Sequence, residues 1–119
     1  MVKVESLKNS SHFKIVLREK KFHTDFFSIF AAKNFTKQKS KNTLNVSFVM
    51  KKKIGSAVKR NRIKRKLKAA VRKTLVENQS INLNYTYVIF GRNNVYKNKF
   101  QLIFHEVNNV FKKIKQMDK

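Results

Sequence analysis

The chain has 119 residues, no Cys and no Pro, and carries 29 Lys and Arg against 6 Asp and Glu, a formal charge of +23. This length suits one domain over residues 1–119, with residues 1–8 and 116–119 expected to be mobile, and 41% hydrophobic content with eleven Phe supports a packed core. The absence of Cys excludes disulfides, thiolate metal sites and cysteine nucleophiles. The excess positive charge repels itself and points to a polyanionic partner, nucleic acid ahead of an acidic membrane surface.

The N-terminus, MVKVESLKNSSHF, lacks the continuous apolar region of a signal peptide. No apolar run approaches the roughly 18 residues of a membrane span, so a cytoplasmic protein with no membrane partner is expected. Residues 1–8 read as a basic lead-in. Asn9 or Ser10 is suited to cap a short helix whose face is Phe13, Val16 and Leu17, and residues 18–21 end it. Residues 22–32 read as one strand, with Phe26, Ser28, Phe30 and Ala32 on one side and Phe27, Ile29 and Ala31 on the other. A basic loop over 33–43 then leads to a strand over 44–50, and the pair is expected to be antiparallel. Val46, Phe48 and Met50 form its core-like face; Asn45, Ser47, Val49 and Lys51 form the more polar one.

Lys51 to Lys73 holds twelve Lys and Arg and no acid. Gly55 offers a positive φ or a close backbone approach, and Ser56 is placed to cap a helix running to Glu77 or Asn78. Ile63, Leu67, Ala70, Val71 and Leu75 form its apolar stripe; Asn61, Arg65, Lys68 and Arg72 lie opposite, with Arg62, Lys66 and Lys73 on a flank. A solvated charged face normally mixes signs, and this one does not. One side is therefore built to pack and the other to meet an anion. No partner helix for a helix-turn-helix precedes it, which favours RNA over DNA.

Residues 78–84 form an Asn-rich loop, Tyr85 to Phe90 a third strand ended by Gly91, and Arg92 to Asn94 a turn. Phe100, Ile103, Phe104, Val107, Phe111 and Ile114 repeat at helical spacing in a C-terminal helix. Strand, long helix, strand implies a crossover with parallel pairing. The sum is a two-layer α/β sandwich: a mixed sheet of about four strands with three helices.

Outward Phe30, Phe13 and Leu17, with Val49 opposite, suggest a shallow cleft, and aromatic surfaces beside positive charge suit unpaired nucleotides. His12, His23 and His105 have no metal-ligand spacing, the six scattered acids make no paired carboxylates, and no Gly-rich phosphate loop is present. Any chemistry is expected to sit in a partner.

Within this segment KKIGSAVKRNRIKR, Lys52 to Arg65, resembles the signature of the bacterial-type ribonuclease P protein subunit. Lys8-Asn9 and Phe13 to Val16 resemble that family's first helix, and VIFGR, Val88 to Arg92, resembles its last strand; the resemblance spans roughly residues 6–114. It implies a left-handed parallel crossover, against the usual rule. It implies as partners a catalytic RNA and precursor tRNA, removal of the 5′ leader, and Mg²⁺ held mainly by the RNA; no obligate protein partner is evident in the sequence. Lys52, Lys53, Arg60, Asn61, Arg62, Lys64 and Arg65 match the family's RNA-binding motif; Lys68, Arg72 and Arg92 extend it. Phe13 and Phe30 match the leader cleft, which Leu17, Ser47 and Val49 would complete. Leu17 stands where an aromatic is common and Phe30 where Tyr is common, while Lys51 and Val49 replace small polar residues. The alternative, a ribosomal or other structural RNA-binding protein with no nuclease attached, is separated by reconstitution rather than by composition.

Overall fold

The computed structural model describes residues 3–7, 10–34, 43–77 and 81–117. The elements run β1 (Lys3–Glu5), α1 (Ser10–Val16), β2 (Lys20–His23), β3 (Phe27–Lys33), β4 (Thr43–Val49), a 3₁₀ turn (Lys52–Ile54), α2 (Ala57–Glu77), β5 (Tyr85–Gly91), α3 (Asn94–Lys97) and α4 (Phe100–Met117). Five strands form one sheet in the order β1-β4-β5-β3-β2. β4 pairs with β5 in parallel, as the strand–helix–strand pattern requires.

Three features depart from the sequence reading. The strand expected over 22–32 is a hairpin, because Thr24 folds the chain back. Its hydroxyl accepts the Phe26 and Phe27 amides at 3.1 Å each, while its backbone N–H donates to the Phe27 carbonyl at 2.9 Å. The turn explains why Phe22 and Ile29, of opposite parity, face each other across the hairpin. Second, β3 and β4 do not pair: β5 lies between them, antiparallel to β3. Third, Lys3–Glu5, within the segment read as a lead-in, forms a strand that pairs in parallel with β4, and α4 extends through Gln116. Asn9, Asn78, residues 35–42 of the expected loop and the extreme ends lie outside the described residues.

The core fills one face of the sheet. Phe27, Ile29 and Ala31 of β3, Leu44 and Val46 of β4, and Tyr87 and Ile89 of β5 pack there against Ile63, Leu67, Ala70 and Val71 of α2 and Ile103, Val107, Phe111 and Ile114 of α4. Tyr87 and Phe111 meet edge to face, centroids 5.0 Å apart. Strand alternation sends the other residues to the opposite face, where Val16 of α1 closes over Ala32 and Val88 with Phe13, Phe30, Val49 and Phe90 around them. α1 covers only part of this face, and the uncovered part becomes the cleft.

A basic helix face beside an aromatic cleft

α2 begins where expected. Gly55 has φ 146° and ψ −155°, a region closed to side-chain-bearing residues, and a Cβ there would meet Lys59 Cδ at 3.0 Å. The Ser56 hydroxyl then accepts the Lys59 amide at 3.2 Å, capping the first turn. The buried stripe is Ile63, Leu67, Ala70, Val71 and Thr74. Because that stripe is fixed, Asn61, Lys64, Arg65 and Arg72 project outward and are exposed, with Lys68 half-buried. Lys52 and Lys53 are exposed just before them on the 3₁₀ turn.

The flank of α2 behaves differently. Lys66 Nζ donates to three backbone carbonyls, those of Asn98 at 2.8 Å, Val95 at 3.1 Å and Tyr96 at 3.4 Å. It thereby closes the C-terminal end of α3, where carbonyls lack helical partners. Arg62 donates to the Tyr96 hydroxyl at 3.3 Å, and Lys59 lies 5.3 Å from the Tyr96 ring centroid. These cations hold α3 in place. Arg60 is half-buried, its Nε enclosed without a hydrogen-bond partner, and it lines a small pocket of about 200 Å³ with Asn61, Lys64, Phe48 and Met50. A buried N–H without an acceptor is destabilising unless a ligand supplies one.

The second component is an open cleft of about 610 Å³ on the α1 side of the sheet. Sheet register builds its floor. His23 of β2 stands opposite Ser28 of β3, Ser28 opposite Phe90 of β5, and Phe90 opposite Val49 of β4. The neighbouring row is Lys21, Phe30, Val88 and Ser47. Of the two rows, His23, Ser28, Phe90, Lys21 and Phe30 line the cleft, while Val49, Val88 and Ser47 lie under α1 and the N-terminal segment. Phe30 and Phe90 meet edge to face at 5.7 Å. Lys21 Nζ stands 5.4 Å from the Phe30 centroid and Lys51 Nζ 5.8 Å from that of Phe90. Leu17, Lys53, Ile54, Arg92 and Asn93 complete the lining. Arg92 Nη2 donates to His23 Nδ1 at 2.8 Å. Loss of solvation, then the charges of Lys21 and Arg92, lower the His23 pKa below its ordinary 6.5.

The five residues expected to form one leader cleft are divided. Leu17 and Phe30 line the large cleft. Phe13 and Ser47 instead line a smaller pocket of about 230 Å³ beside Leu7, Lys64 and Lys68. Ser47 is 2% exposed and its hydroxyl already accepts the Leu7 amide at 2.8 Å, so it helps anchor the N-terminal segment. Val49 packs against the α1-side cluster. Phe90, Lys21, His23 and Ser28 were missed. For Phe90 and Ser28 the signal is present, since strand alternation puts Phe90 on the face opposite Tyr87 and Ile89 and puts Ser28 on the face of Phe30; for Lys21 and His23 the parity shift across the Thr24 turn hides it. Among the described residues no group of three or more His, Cys, Asp or Glu could hold a metal ion, and no helix is long and apolar enough to cross a membrane.

A mixed sheet backed by two long helices, with a one-signed helix face next to an open aromatic cleft, defines a small basic α/β protein of the ribonucleoprotein type. Residues 1–115 match the model of the family described as Ribonuclease P. The chain is 32% identical over 109 residues to the ribonuclease P protein component of Rickettsia bellii, covering 88% of this chain and 89% of that one. It is 30% identical over 78 residues to the protein of the same name from Paramagnetospirillum magneticum, covering 66% of this chain and 57% of that relative. Its fold is similar to the RNase P protein from Thermotoga maritima, with a TM-score of 0.69 at 23% identity, covering 92% of this chain and 96% of that one. It is also similar to the RNase P protein of Staphylococcus aureus, with a TM-score of 0.65 at 22% identity, covering 95% and 97% of the two chains. The chain belongs to the ribonuclease P protein component family.

Proposed function

We propose that this chain binds the catalytic RNA of ribonuclease P through the exposed face of α2 and receives the single-stranded 5′ leader of precursor tRNA in the cleft. The observation that carries this reading is the cleft itself: two aromatic rings, Phe30 and Phe90, each with a lysine ammonium within 6 Å of its centroid, on an open sheet face. Unpaired bases stack on such rings while the cations hold the backbone, at about 1–3 kcal/mol per stacked base. The α2 face supports the other half. Arg65, Lys64 and Arg72 are exposed with no acid among them, and the enclosed Arg60 Nε lacks an acceptor that a phosphate oxygen would provide.

In this reading the RNA cuts and holds the Mg²⁺, and the protein's contribution is positioning, in the cytoplasm. Its residues neutralise phosphates and fix the leader relative to the scissile bond, which is an entropic contribution. The test is reconstitution with the cognate catalytic RNA at low Mg²⁺: the chain accelerates precursor-tRNA cleavage, and absence of any acceleration overturns the reading. A finer test uses Phe30→Ala, which weakens binding of precursor tRNA while mature tRNA and the catalytic RNA bind as before. Equal loss on all three ligands would mean a damaged fold and no leader site at Phe30.

A further inference from the structure

One nitrogen in the cleft wall receives two donors. His23 Nδ1 lies 2.8 Å from Arg92 Nη2 and 2.7 Å from Ser28 Oγ. A guanidinium has no acceptor, so Nδ1 carries no proton, and the imidazole is neutral with its hydrogen on Nε2. Nδ1 has a single lone pair in the ring plane, which a guanidinium N–H and a hydroxyl cannot both use well. A phosphate oxygen can accept from both. The charged groups that line the cleft with His23 are Lys21 on its own strand, Arg92 after β5, Lys51 after β4 and Lys53 in the 3₁₀ turn, and among the described residues no acidic side chain lines it. Lys21 and Arg92 are the charges that act on the imidazole, which is neutral in a cleft lined by cations.

We propose that His23, Ser28, Arg92 and Lys21 form a phosphodiester-binding subsite at the β2 end of the cleft, and that His23 takes up one proton from solvent when a single-stranded RNA phosphate docks there. The inference rests on the reading of the cleft as a single-strand site. Docking turns the Arg92 N–H and the Ser28 hydroxyl from Nδ1 to a phosphate oxygen. Nδ1, relieved of both donors, is protonated and donates to the same phosphate. No covalent bond to the RNA forms or breaks, and the anion offsets the cationic repulsion that keeps His23 neutral in the free chain. Phe30 and Phe90 take the bases on either side of this phosphate.

The experiment titrates a fluorescein-labelled RNA pentanucleotide, oligouridylate, into the full chain at constant ionic strength in phosphate-free buffer across pH 8 to 5.5. An opposite charge raises a neighbouring pKa by about one unit or more, so affinity grows about three- to tenfold between pH 8 and pH 6. His23→Gln, which retains an acceptor for Arg92 but cannot titrate, removes this gain; His12 and His105 remain in the variant and supply the background. NMR of the wild-type His23 ring, free and bound, reports a higher pKa in the complex without relying on a variant. If wild type and variant share one pH profile, or the His23 pKa does not rise on binding, while Phe30→Ala still weakens the complex, the subsite is wrong and the cleft reading stands. If Phe30→Ala leaves pentanucleotide affinity unchanged, the cleft reading fails and this inference fails with it.

Discussion

Arg65 and Lys66 are neighbours in sequence with different surroundings. Arg65 is exposed on the outer face of α2, whereas Lys66 Nζ is engaged with the carbonyls of Val95, Tyr96 and Asn98. Arg65→Ala is therefore expected to leave thermal stability nearly unchanged and to lower the salt slope of RNA binding by about one. Lys66→Ala is expected to do the reverse, destabilising the fold by about 1–2 kcal/mol because three carbonyls lose a charged donor. Chemical denaturation and salt titration of both variants check this; a slope that falls for Lys66→Ala alone would reverse the assignment. Sequence spacing put Arg65 on the outer face and Lys66 on the flank. It could not tell that the flank meets α3, because that contact joins residues about thirty apart in the chain. His23 makes the same point. Its folded pKa lies below the unfolded 6.5, so the unfolded chain binds the proton first. Its contribution to stability is complete above that value and is lost as pH falls through the window beneath it. Between pH 7.5 and 5.5 the melting temperature of wild type should fall more than that of His23→Gln, and parallel curves would mean that His23 is not held neutral.

At the scale of elements, the two long helices and the parallel β4–α2–β5 unit were legible because each is marked by local periodicity. Sheet order was not. β5 enters between β3 and β4, and such choices are made by which faces must be buried against α2 and α4. The hairpin was missed because Thr24, Asp25 and Phe26 interrupt an otherwise alternating run whose parity shifts across the turn. α2 was the most legible element, and its start depends on Gly55. Gly55→Ala must place a Cβ at φ 146° against Lys59, so a loss of about 1–3 kcal/mol is expected. Relief of that strain would move Lys52 and Lys53 relative to Arg60, so RNA affinity should fall as well. An unchanged melting temperature would show that this backbone is not fixed. Gly91 is constrained by space and not by φ. A Cβ there would meet Met50 Sδ at 2.5 Å and Leu67 Cδ1 at 2.9 Å. Both are side-chain atoms, but Leu67 is fully buried, so Gly91→Ala should be destabilising by about 1–3 kcal/mol. The loss should shrink in a Met50→Ala background, where the added methyl enters vacated space; equal losses in both backgrounds would place the clash elsewhere.

At the scale of the whole molecule, charge opposes the fold that carries it. The chain bears +23, with 29 Lys and Arg against 6 acids, and its Lys73–Glu77 ion pair, at 4.0 Å, is partly exposed. Such a pair contributes little. Screening therefore has almost no attraction to remove and much repulsion to weaken. Between about 0.1 M and about 1 M salt the Debye length shrinks from about 10 Å to about 3 Å, shorter than the spacing between successive turns of α2. The free chain is expected to melt at a higher temperature as sodium chloride rises through this range. RNA binding must respond in the opposite sense, because neutralised phosphates release counterions. Six to eight phosphate contacts would give a slope of roughly −5 to −7 in log affinity against log salt. Opposite signs for the two measurements on one preparation would identify the same cations as the source of both effects. A melting temperature that fell with salt would mean that attractive pairs, and not unmatched lysines and arginines, dominate the free protein's electrostatics.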